Sequence, residues 1–166
     1  MREIALSKTT EQARITGVLQ VGQRLSPITR EALRAYRLQW SSPHWTDHGG
    51  WDWEEKVRRY ARKPRAFHAA AWADEQLCGL CVGSVCRSKA HLTLRFMESA
   101  PDPDHPLRGS ITELMFAAAR NYARVLGVGT IYLRNPLEGV RERYEGYGFS
   151  LAWTYRGTVY FGRETL

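Results

Sequence analysis

The sequence has no long apolar segment, and this absence excludes several classes of protein. None of its 166 residues belongs to an apolar run of about 18 residues, the length that a membrane-spanning helix needs. The N-terminal stretch MREIALSKTTEQAR also lacks the apolar centre of a signal peptide. We therefore expect a soluble, cytoplasmic protein that makes no membrane contact.

Cysteine is also scarce, which argues against a disulfide framework. The chain has three cysteines, an odd number that fits a reducing compartment better than a secreted scaffold. The spacing Cys78-x-x-Cys81, with Cys86 nearby, raises the alternatives of a zinc or a redox site. A fourth ligand at motif spacing is missing and the segment is apolar, so we expect buried thiols.

Several catalytic motifs are absent as well. The chain contains no P-loop, no H-E-x-x-H helix and no G-x-S-x-G elbow. The pair His44-x-x-x-His48 resembles a helical metal pair, but Pro43 and the glycines behind it favour a loop. The sequence therefore predicts no metal site.

Positive charge, by contrast, is plentiful. Lysine and arginine number 24 against 17 acidic residues, which gives a formal net charge of +7. Such a surface favours anionic partners, including nucleotides, coenzymes, nucleic acid and acidic protein segments. The densest cluster, EEKVRRYARKPR (54–65), has its acids first and its bases last, as a helix dipole favours. A solvated amphipathic helix and a patch for substrate or nucleic acid both explain this cluster.

No linker, repeat or low-complexity tract divides the sequence, so we predict one domain over residues 1–166. The first elements are a strand over Ala13–Val21, a helix from Ser26 and Pro27 toward Trp40, and a short helix before Pro64. The later elements are strands in 65–73, 77–86 and 91–98, a helix with an apolar face from Ile111 to Val125 that ends at Gly127, a strand in 130–135, a helix in 137–147 and a closing hairpin over 149–162.

This order, β-αα-βββ-α-β-α-ββ, predicts the fold class. The strand–helix–strand succession from HLTLRFME to TIYLRN implies a parallel crossover within a mostly antiparallel sheet. We therefore expect a mixed α/β (α+β) domain with a single sheet and helices on both faces. The closing hairpin is aromatic, and its edge strand is a candidate for pairing across a homodimer.

The stretch HPLRGSITELMF predicts an anion site, because a polar loop enters a long helix there. Free N–H groups and the positive end of the dipole at a helix start both attract phosphate. Loops of this kind usually carry glycines, which let the backbone approach a pyrophosphate closely. Ser110 and Thr112 stand where those glycines are expected.

Two segments resemble the GCN5-related N-acetyltransferase (GNAT) family. VRERYEGYGF is similar to the final helix of many members, A-x-x-x-Y-x-x-x-G-F: Tyr144, Gly148 and Phe149 match, and Val140 takes the place of the small residue. AAARNYARVLGVGTIYLRNP resembles the family's central helix and the strand after it. The resemblance covers about residues 66 to 160, and the first 65 residues resemble the family only in element order.

The resemblance implies transfer of an acetyl group from acetyl-CoA to an amine. In the family the acyl-pantetheine arm lies between strands four and five, here HLTLRFME and TIYLRN. The arm would pair with backbone groups near Phe96, Met97 and Glu98. The pyrophosphate would lie on the turn at the start of the central helix. Residues of this turn are Arg108, Gly109, Ser110, Ile111 and Thr112.

The loop departs from the family pattern of Gln or Arg, then two residues, Gly, one residue, and Gly or Ala. Leu107 falls on the first position, while Ser110 and Thr112 fall on the glycines. A helical turn needs no positive φ, so serine and threonine are able to adopt the required backbone. Arg108 is a candidate for the missing charge.

Catalytic roles also follow from the resemblance. Tyr144 matches the general acid next to the coenzyme sulfur and is a coenzyme contact, with core packing as the alternative. Glu98 matches a carboxylate that acts as base through water, with a solvated strand-end acid as the alternative. Asn135 is a candidate to bind the pantetheine arm, although the family's asparagine falls at Leu137 and the Asn-Pro pair is equally a turn.

Other side chains near these segments leave alternatives open. His68 and His91 are candidate bases or satisfied histidines of the sheet. His44 and His48 lie in a loop among four tryptophans, which form core or line an acceptor pocket. An aromatic box would favour an apolar or cationic amine. Those tryptophans are Trp40, Trp45, Trp51 and Trp53.

We therefore predict an acetyl-CoA-dependent N-acetyltransferase whose acceptor is open among small amines, antibiotics, peptide N-termini, lysines and RNA-borne amines. A different acyl donor is a further alternative. The competing interpretation is a non-catalytic binding or regulatory module of the same fold that uses its basic helix on nucleic acid. Catalysis predicts free amide donors at 110–112 and an open gap between strands four and five, whereas the module predicts a filled gap.

Overall fold

The computed structural model describes residues 1–40, 50–61 and 63–165, which form one mixed sheet with helices on both faces. The elements are α1 (Arg2–Ile15), β1 (Gln23–Ser26), α2 (Arg30–Gln39), α3 (Trp53–Tyr60), β2 (Ala66–Ala73), β3 (Gln76–Val85), β4 (His91–Ser99), α4 (Ile111–Leu126), β5 (Thr130–Arg134), a 3₁₀ turn (Glu138–Val140), α5 (Arg141–Gly146), β6 (Ser150–Tyr155) and β7 (Thr158–Glu164).

The sheet has seven strands in the order β1-β2-β3-β4-β5-β7-β6. Strands β1 to β4 pair with their neighbours in antiparallel fashion, and β4 pairs with β5 in parallel. The closing hairpin joins through β7, which lies antiparallel to β5 and β6. The predicted class is confirmed, including the parallel crossover through α4.

The prediction of a strand over Ala13–Val21 is wrong. Ala13 ends the buried face of α1, and the first strand begins only at Gln23. Two of the apolar side chains in this stretch face solvent, with Ile15 at 80% and Val21 at 98% exposure, whereas Leu19 is buried between α1 and β1. The buried face of α1 consists of small, hydroxyl and single leucine side chains, so it lacks a strong apolar stripe. These side chains are Ala5, Leu6, Thr9, Thr10 and Ala13.

Helix α1 is nevertheless well fixed, because its buried hydroxyls are satisfied. Thr9 and Thr10 donate to carbonyl oxygens one turn earlier, at 2.7 and 3.0 Å. The Thr10 hydroxyl also accepts from the Leu25 N–H at 3.0 Å, which ties β1 to the helix. Asn121 of α4 donates to the Thr9 hydroxyl at 2.9 Å, so α1 is joined to the central helix as well.

The other helix boundaries follow the expected capping chemistry, with one shift. Helix α2 begins after Thr29, whose side chain accepts from the Ala32 N–H, and not at the predicted Ser26, which lies in β1. Asp52 caps α3 by accepting from the Glu55 N–H. Gly127 ends α4 in the left-handed region at φ 69°, as predicted.

Each face of the sheet has its own core. Helices α1 and α4 cover one face, where α4 buries Leu114, Met115 and Tyr122. Helices α2 and α3 cover the other face around Trp40 and Trp53. We name these the α4 face and the α3 face. Together they give the predicted arrangement of helices on both sides of the sheet.

Strand β6 forms an edge of the sheet, and all six of its residues are exposed. A bulge interrupts its pairing with β7 between Leu151 and Trp153. The described ranges contain no helix that is long and apolar enough to cross a membrane.

Candidate active site

Strands β4 and β5 separate halfway along β4 and leave a gap in the middle of the sheet. Their pairing ends at Leu94 and Leu133, although β4 continues to Ser99 with β3 as its partner. The pairing of β4 with β3 also shifts here, because Val82 pairs with Phe96 and the adjacent Gly83 with Leu94. Arg95 is the extra residue of this bulge. A bulge bends a strand, so it directs the end of β4 away from β5.

The gap holds a cavity of about 310 Å³. Four predicted site residues line it, namely Phe96, Met97, Asn135 and Tyr144. The other lining residues are Trp51, Leu94, Arg95, Leu133, Arg134, Pro136 and Leu137. The structure therefore brings together predicted residues from β4, the segment after β5 and α5.

Tyr144 lies between the cavity and the core of the α4 face. Its ring meets Phe116 of α4 edge-on, with 5.6 Å between ring centroids. Burial raises the pKa of the Tyr144 hydroxyl, while nearby Arg143 acts in the opposite direction. The phenol is therefore protonated at neutral pH and has a proton to donate.

Glu98 lies on the α3 face and is only 8% exposed, so the solvated alternative for this residue is wrong. Its carboxylate accepts from the Gly50 N–H and from Nε1 of Trp53, both at 2.6 Å. Burial raises the pKa of the Glu98 carboxyl, and these hydrogen bonds lower it in part. Glu98 is one residue beyond the cavity-lining Met97 and fixes the start of α3 against β4.

The N-terminus of α4 presents the helix end that the loop pattern predicts. Gly109 has φ +84°, and an added Cβ there would meet no atom within 4 Å. The N–H groups of Ile111, Thr112 and Glu113 donate to no backbone carbonyl within the described residues. The Ser110 N–H, which we expected to be free, donates to the Leu107 carbonyl at 3.1 Å. Three of the four orphan donors of a helix start thus remain available.

The arginines around this helix end are arranged differently from the sequence expectation. Arg108 donates to the Pro103 carbonyl at 2.6 Å and so lies against its own loop. Arg143 of α5 donates to the Gly109 carbonyl at 2.8 Å. Arg143 thus places a cation beside the helix start and connects it to Tyr144, the next residue. No local sequence pattern links Arg143 to a loop more than thirty residues earlier, so sequence reasoning missed it.

Asn135 forms a turn that holds the wall of the gap. It has φ 51°, and its side-chain oxygen accepts from the Val159 N–H at 2.9 Å. Its own N–H donates to the Val159 carbonyl at 2.7 Å. These bonds and the positive φ fit the turn interpretation, and no described hydrogen bond uses the side-chain amino group of Asn135.

The histidines and cysteines of the sheet lie apart from the cavity lining. Nδ1 of His68 accepts from the Ile28 N–H at 3.0 Å, and burial lowers the pKa of His68 to about 4. His91 contacts the Tyr132 ring at the far end of β4. Cys78 and Cys81 are buried thiols, as expected, whereas Cys86 is half-buried. Within the described ranges, no group of three or more candidate side chains is placed to hold a metal ion.

The tryptophans divide between core and cavity. Trp40 and Trp53 are core residues, with 2% and 0% exposure. Trp51 lines the cavity and meets Phe96 edge-on, with 4.9 Å between ring centroids. The predictions for His44, His48 and Trp45 lie outside the described residues.

Comparison with solved structures identifies the fold. The chain is similar to the ribosomal-protein-S18-alanine N-acetyltransferase of Escherichia coli, with 14% identity and a TM-score of 0.64 over 86% of this chain and 94% of that one. It is similar to the PaiA N-acetyltransferase of Thermoplasma acidophilum in complex with coenzyme A, with 14% identity and a TM-score of 0.63 over 87% and 99%. It is also similar to a GNAT-family acetyltransferase of Desulfovibrio desulfuricans, with 16% identity and a TM-score of 0.65 over 87% and 98%.

No family model and no curated protein sequence matches the chain. The likeness thus lies in the arrangement of the chain in space and extends over nearly the whole of each neighbour. The chain has the fold of the GNAT acetyltransferases, which the motif at Tyr144, Gly148 and Phe149 predicted.

Proposed function

We propose that the protein is an N-acetyltransferase that transfers the acetyl group of acetyl-CoA to an amine. The observation that carries this proposal is the open gap between β4 and β5, with about 310 Å³ of space and Tyr144 in its wall. A binding module that had lost catalysis would have a side chain filling the gap. The open cavity favours the enzyme over that alternative.

The coenzyme would bind across two adjacent parts of the α4 face. The free N–H groups of Ile111, Thr112 and Glu113 suit its pyrophosphate, and Arg143 adds positive charge beside them. The pantetheine arm would extend from there into the gap. It would pair with β4 near Phe96 and Met97, where the edge facing β5 has no strand partner within the described chain.

The chemistry requires a neutral amine, a polarised thioester carbonyl and a proton for the departing thiolate. We assign the polarisation to backbone N–H groups of β4 beside the bulge. We assign the proton to the Tyr144 hydroxyl, which its raised pKa keeps protonated. Glu98 is the proposed base and acts through water, because its raised pKa makes the buried carboxylate a stronger proton acceptor.

The acceptors of the structural neighbours differ too much to identify the acceptor of this chain. Their names specify acceptors as different as ribosomal-protein alanine, aminoglycosides and spermidine. A shared fold with such varied acceptors supports amine acetylation in general and leaves the particular amine to be determined from this chain's own cavity.

Calorimetric titration with acetyl-CoA tests the proposal. We expect binding in the micromolar range. Ser110→Trp should abolish it by covering the helix start, and Arg143→Glu should weaken it about tenfold or more by placing negative charge beside the pyrophosphate. Arg156→Glu, in the β6–β7 turn, changes the net charge equally and should have little effect. The absence of both heat and thermal shift at millimolar acetyl-CoA would contradict the proposal.

A further inference from the structure

We propose that the acceptor amine carries an anionic group, a carboxylate or a phosphate, that Arg95 and Arg134 bind on the α3 face of the gap, where β4 and β5 separate. This inference rests on the proposed function and specifies its substrate class. It starts from the two arginines that line the cavity, neither of which the sequence patterns identified.

Register places both arginines at the same level of the sheet. Leu94 and Leu133 are the last residues paired between β4 and β5, and Arg95 and Arg134 follow them directly. Leu133 faces the core of the α4 face, so Arg134 points to the α3 face, since side chains alternate along a strand. Arg95 also faces that side, because its guanidinium carbon lies 5.3 Å from the Tyr60 ring centroid of α3.

The guanidinium groups are not neutralised within the described chain. Arg95 donates from Nε to the Ser84 hydroxyl at 3.2 Å, which orients the group without cancelling its charge. None of the described salt bridges involves Arg95 or Arg134. No described residue that lines the cavity is acidic, so the lining carries two positive charges.

The described acids near this face have partners other than Arg95 and Arg134. Glu55 pairs with Lys56 at 2.6 Å and with Arg59 at 3.7 Å, and Glu54 pairs with Arg37. Glu98 is buried beneath Trp53 and Gly50, whose N–H groups both donate to it. Lys56, whose Nζ lies 4.8 Å from the Phe96 ring centroid, is neutralised by Glu55 and leaves the two arginines as the uncompensated charges beside the cavity.

The coenzyme does not account for these arginines. In the proposed binding mode its phosphates lie at the N-terminus of α4, on the α4 face, and the pantetheine arm within the gap carries no charge. Arg95 and Arg134 are on the α3 face, from which the amine would enter.

This charge distribution selects among amines. Guanidinium groups bind carboxylate and phosphate through paired hydrogen bonds, whereas a second ammonium group on the acceptor would be repelled. Nearby positive charge also lowers the pKa of the bound amine, which favours the neutral form that attacks the thioester. Trp51 and Phe96 provide an apolar wall for the carbon atoms between the two groups. An aromatic box alone would favour a cationic amine, and the arginines reverse that preference.

Matched acceptors test the inference through the release of coenzyme A thiol. Phosphoethanolamine is compared with ethanolamine, and β-alanine with its amide, each at equal concentration of free amine, with putrescine as a dicationic acceptor. We expect kcat/KM to be about tenfold or more higher for the anionic member of at least one pair. The pair that shows the preference distinguishes phosphate from carboxylate.

Variants connect the preference to the arginines. Arg134→Gln should remove most of the preference for anionic acceptors and leave KM for acetyl-CoA unchanged. This variant should fold, because the Arg134 side chain makes no described hydrogen bond. Arg95→Gln should act in the same direction, and Arg156→Gln is the control for net charge. Equal or faster reaction of neutral amines or putrescine, or a preference that persists in Arg134→Gln, would overturn the inference alone. Absence of thiol release with every amine would instead contradict the proposed function.

Discussion

Tyr144 packs on the core with its ring and lines the gap, and these two roles can be separated by removing only its hydroxyl. Tyr144→Phe should lower kcat about a hundredfold, in the range found for a lost general acid, with unchanged affinity for acetyl-CoA. Tyr147→Phe is a matched control, because Tyr147 packs on the same Phe116 ring with 5.4 Å between centroids and does not line the cavity. Equal kcat in the two variants would remove Tyr144 from the mechanism.

His68 gives the stability of the protein a defined pH dependence. Burial lowers the pKa of His68 to about 4, against 6.5 in an unfolded chain, so the unfolded state binds more protons between these values. The neutral imidazole therefore contributes fully above pH 6.5, and this contribution falls progressively as the pH drops to about 4. The loss over the whole range is about 3 kcal/mol.

His68→Asn tests this dependence, because the asparagine oxygen is able to accept from the Ile28 N–H in place of Nδ1. Urea unfolding of the wild type should show stability that declines between pH 6.5 and 4. The variant should show a flatter profile over the same range. A decline of equal size in both proteins would assign the pH dependence to other groups.

At the residue scale, sequence motifs identify candidate site residues whose motif partners lie close to them in the sequence. Tyr144 was found because Gly148 and Phe149 follow it at fixed spacing. Arg95 depends on a bulge between β3 and β4, and Arg143 depends on a contact between α5 and a distant loop. Such positions follow from tertiary packing, so a pattern read along the chain does not reveal them.

At the scale of the elements, substitution of Gly127 tests whether backbone conformation determines where α4 ends. An added Cβ would meet no atom within 4 Å at either Gly127 or Gly129, but only Gly127 has a left-handed φ, +69°. Gly127→Ala should therefore destabilise the protein by about 1 kcal/mol through strain alone. Gly129→Ala should change the free energy of unfolding by less than about 0.5 kcal/mol. Equal effects in chemical denaturation would argue against this explanation.

The elements also show where pattern-based prediction succeeds. Strands β2 to β5 and helix α4 were predicted well, because each carries an apolar run or a clear apolar face between turn residues. Helix α1 was missed, because Thr9 and Thr10 make its buried side look polar. Their hydroxyls are satisfied by backbone carbonyls of the same helix, which makes burial acceptable without an apolar stripe.

For the whole molecule, the exposed strand β6 leads us to predict a homodimer. An unpaired edge strand is a template for pairing with another chain, and Leu151 and Tyr155 are 62% and 60% exposed there. Leu151→Lys should shift the sedimentation velocity profile from dimer to monomer. Val125→Lys, which replaces an exposed apolar residue of α4, should leave the profile unchanged. A monomeric wild type at high concentration would contradict the prediction.

The short contact between β4 and β5 indicates where the chain could be cut into two fragments that reassemble. Only four residue pairs, from His91–Thr130 to Leu94–Leu133, join the strands on either side. The first four strands form a meander of neighbours in sequence, and the last three form a second group. A break in the loop between Ser99 and Ile111 would thus leave two fragments, each with a complete set of adjacent strands. The interface between them would contain the proposed reaction centre, so recovery of activity on mixing would report their reassembly.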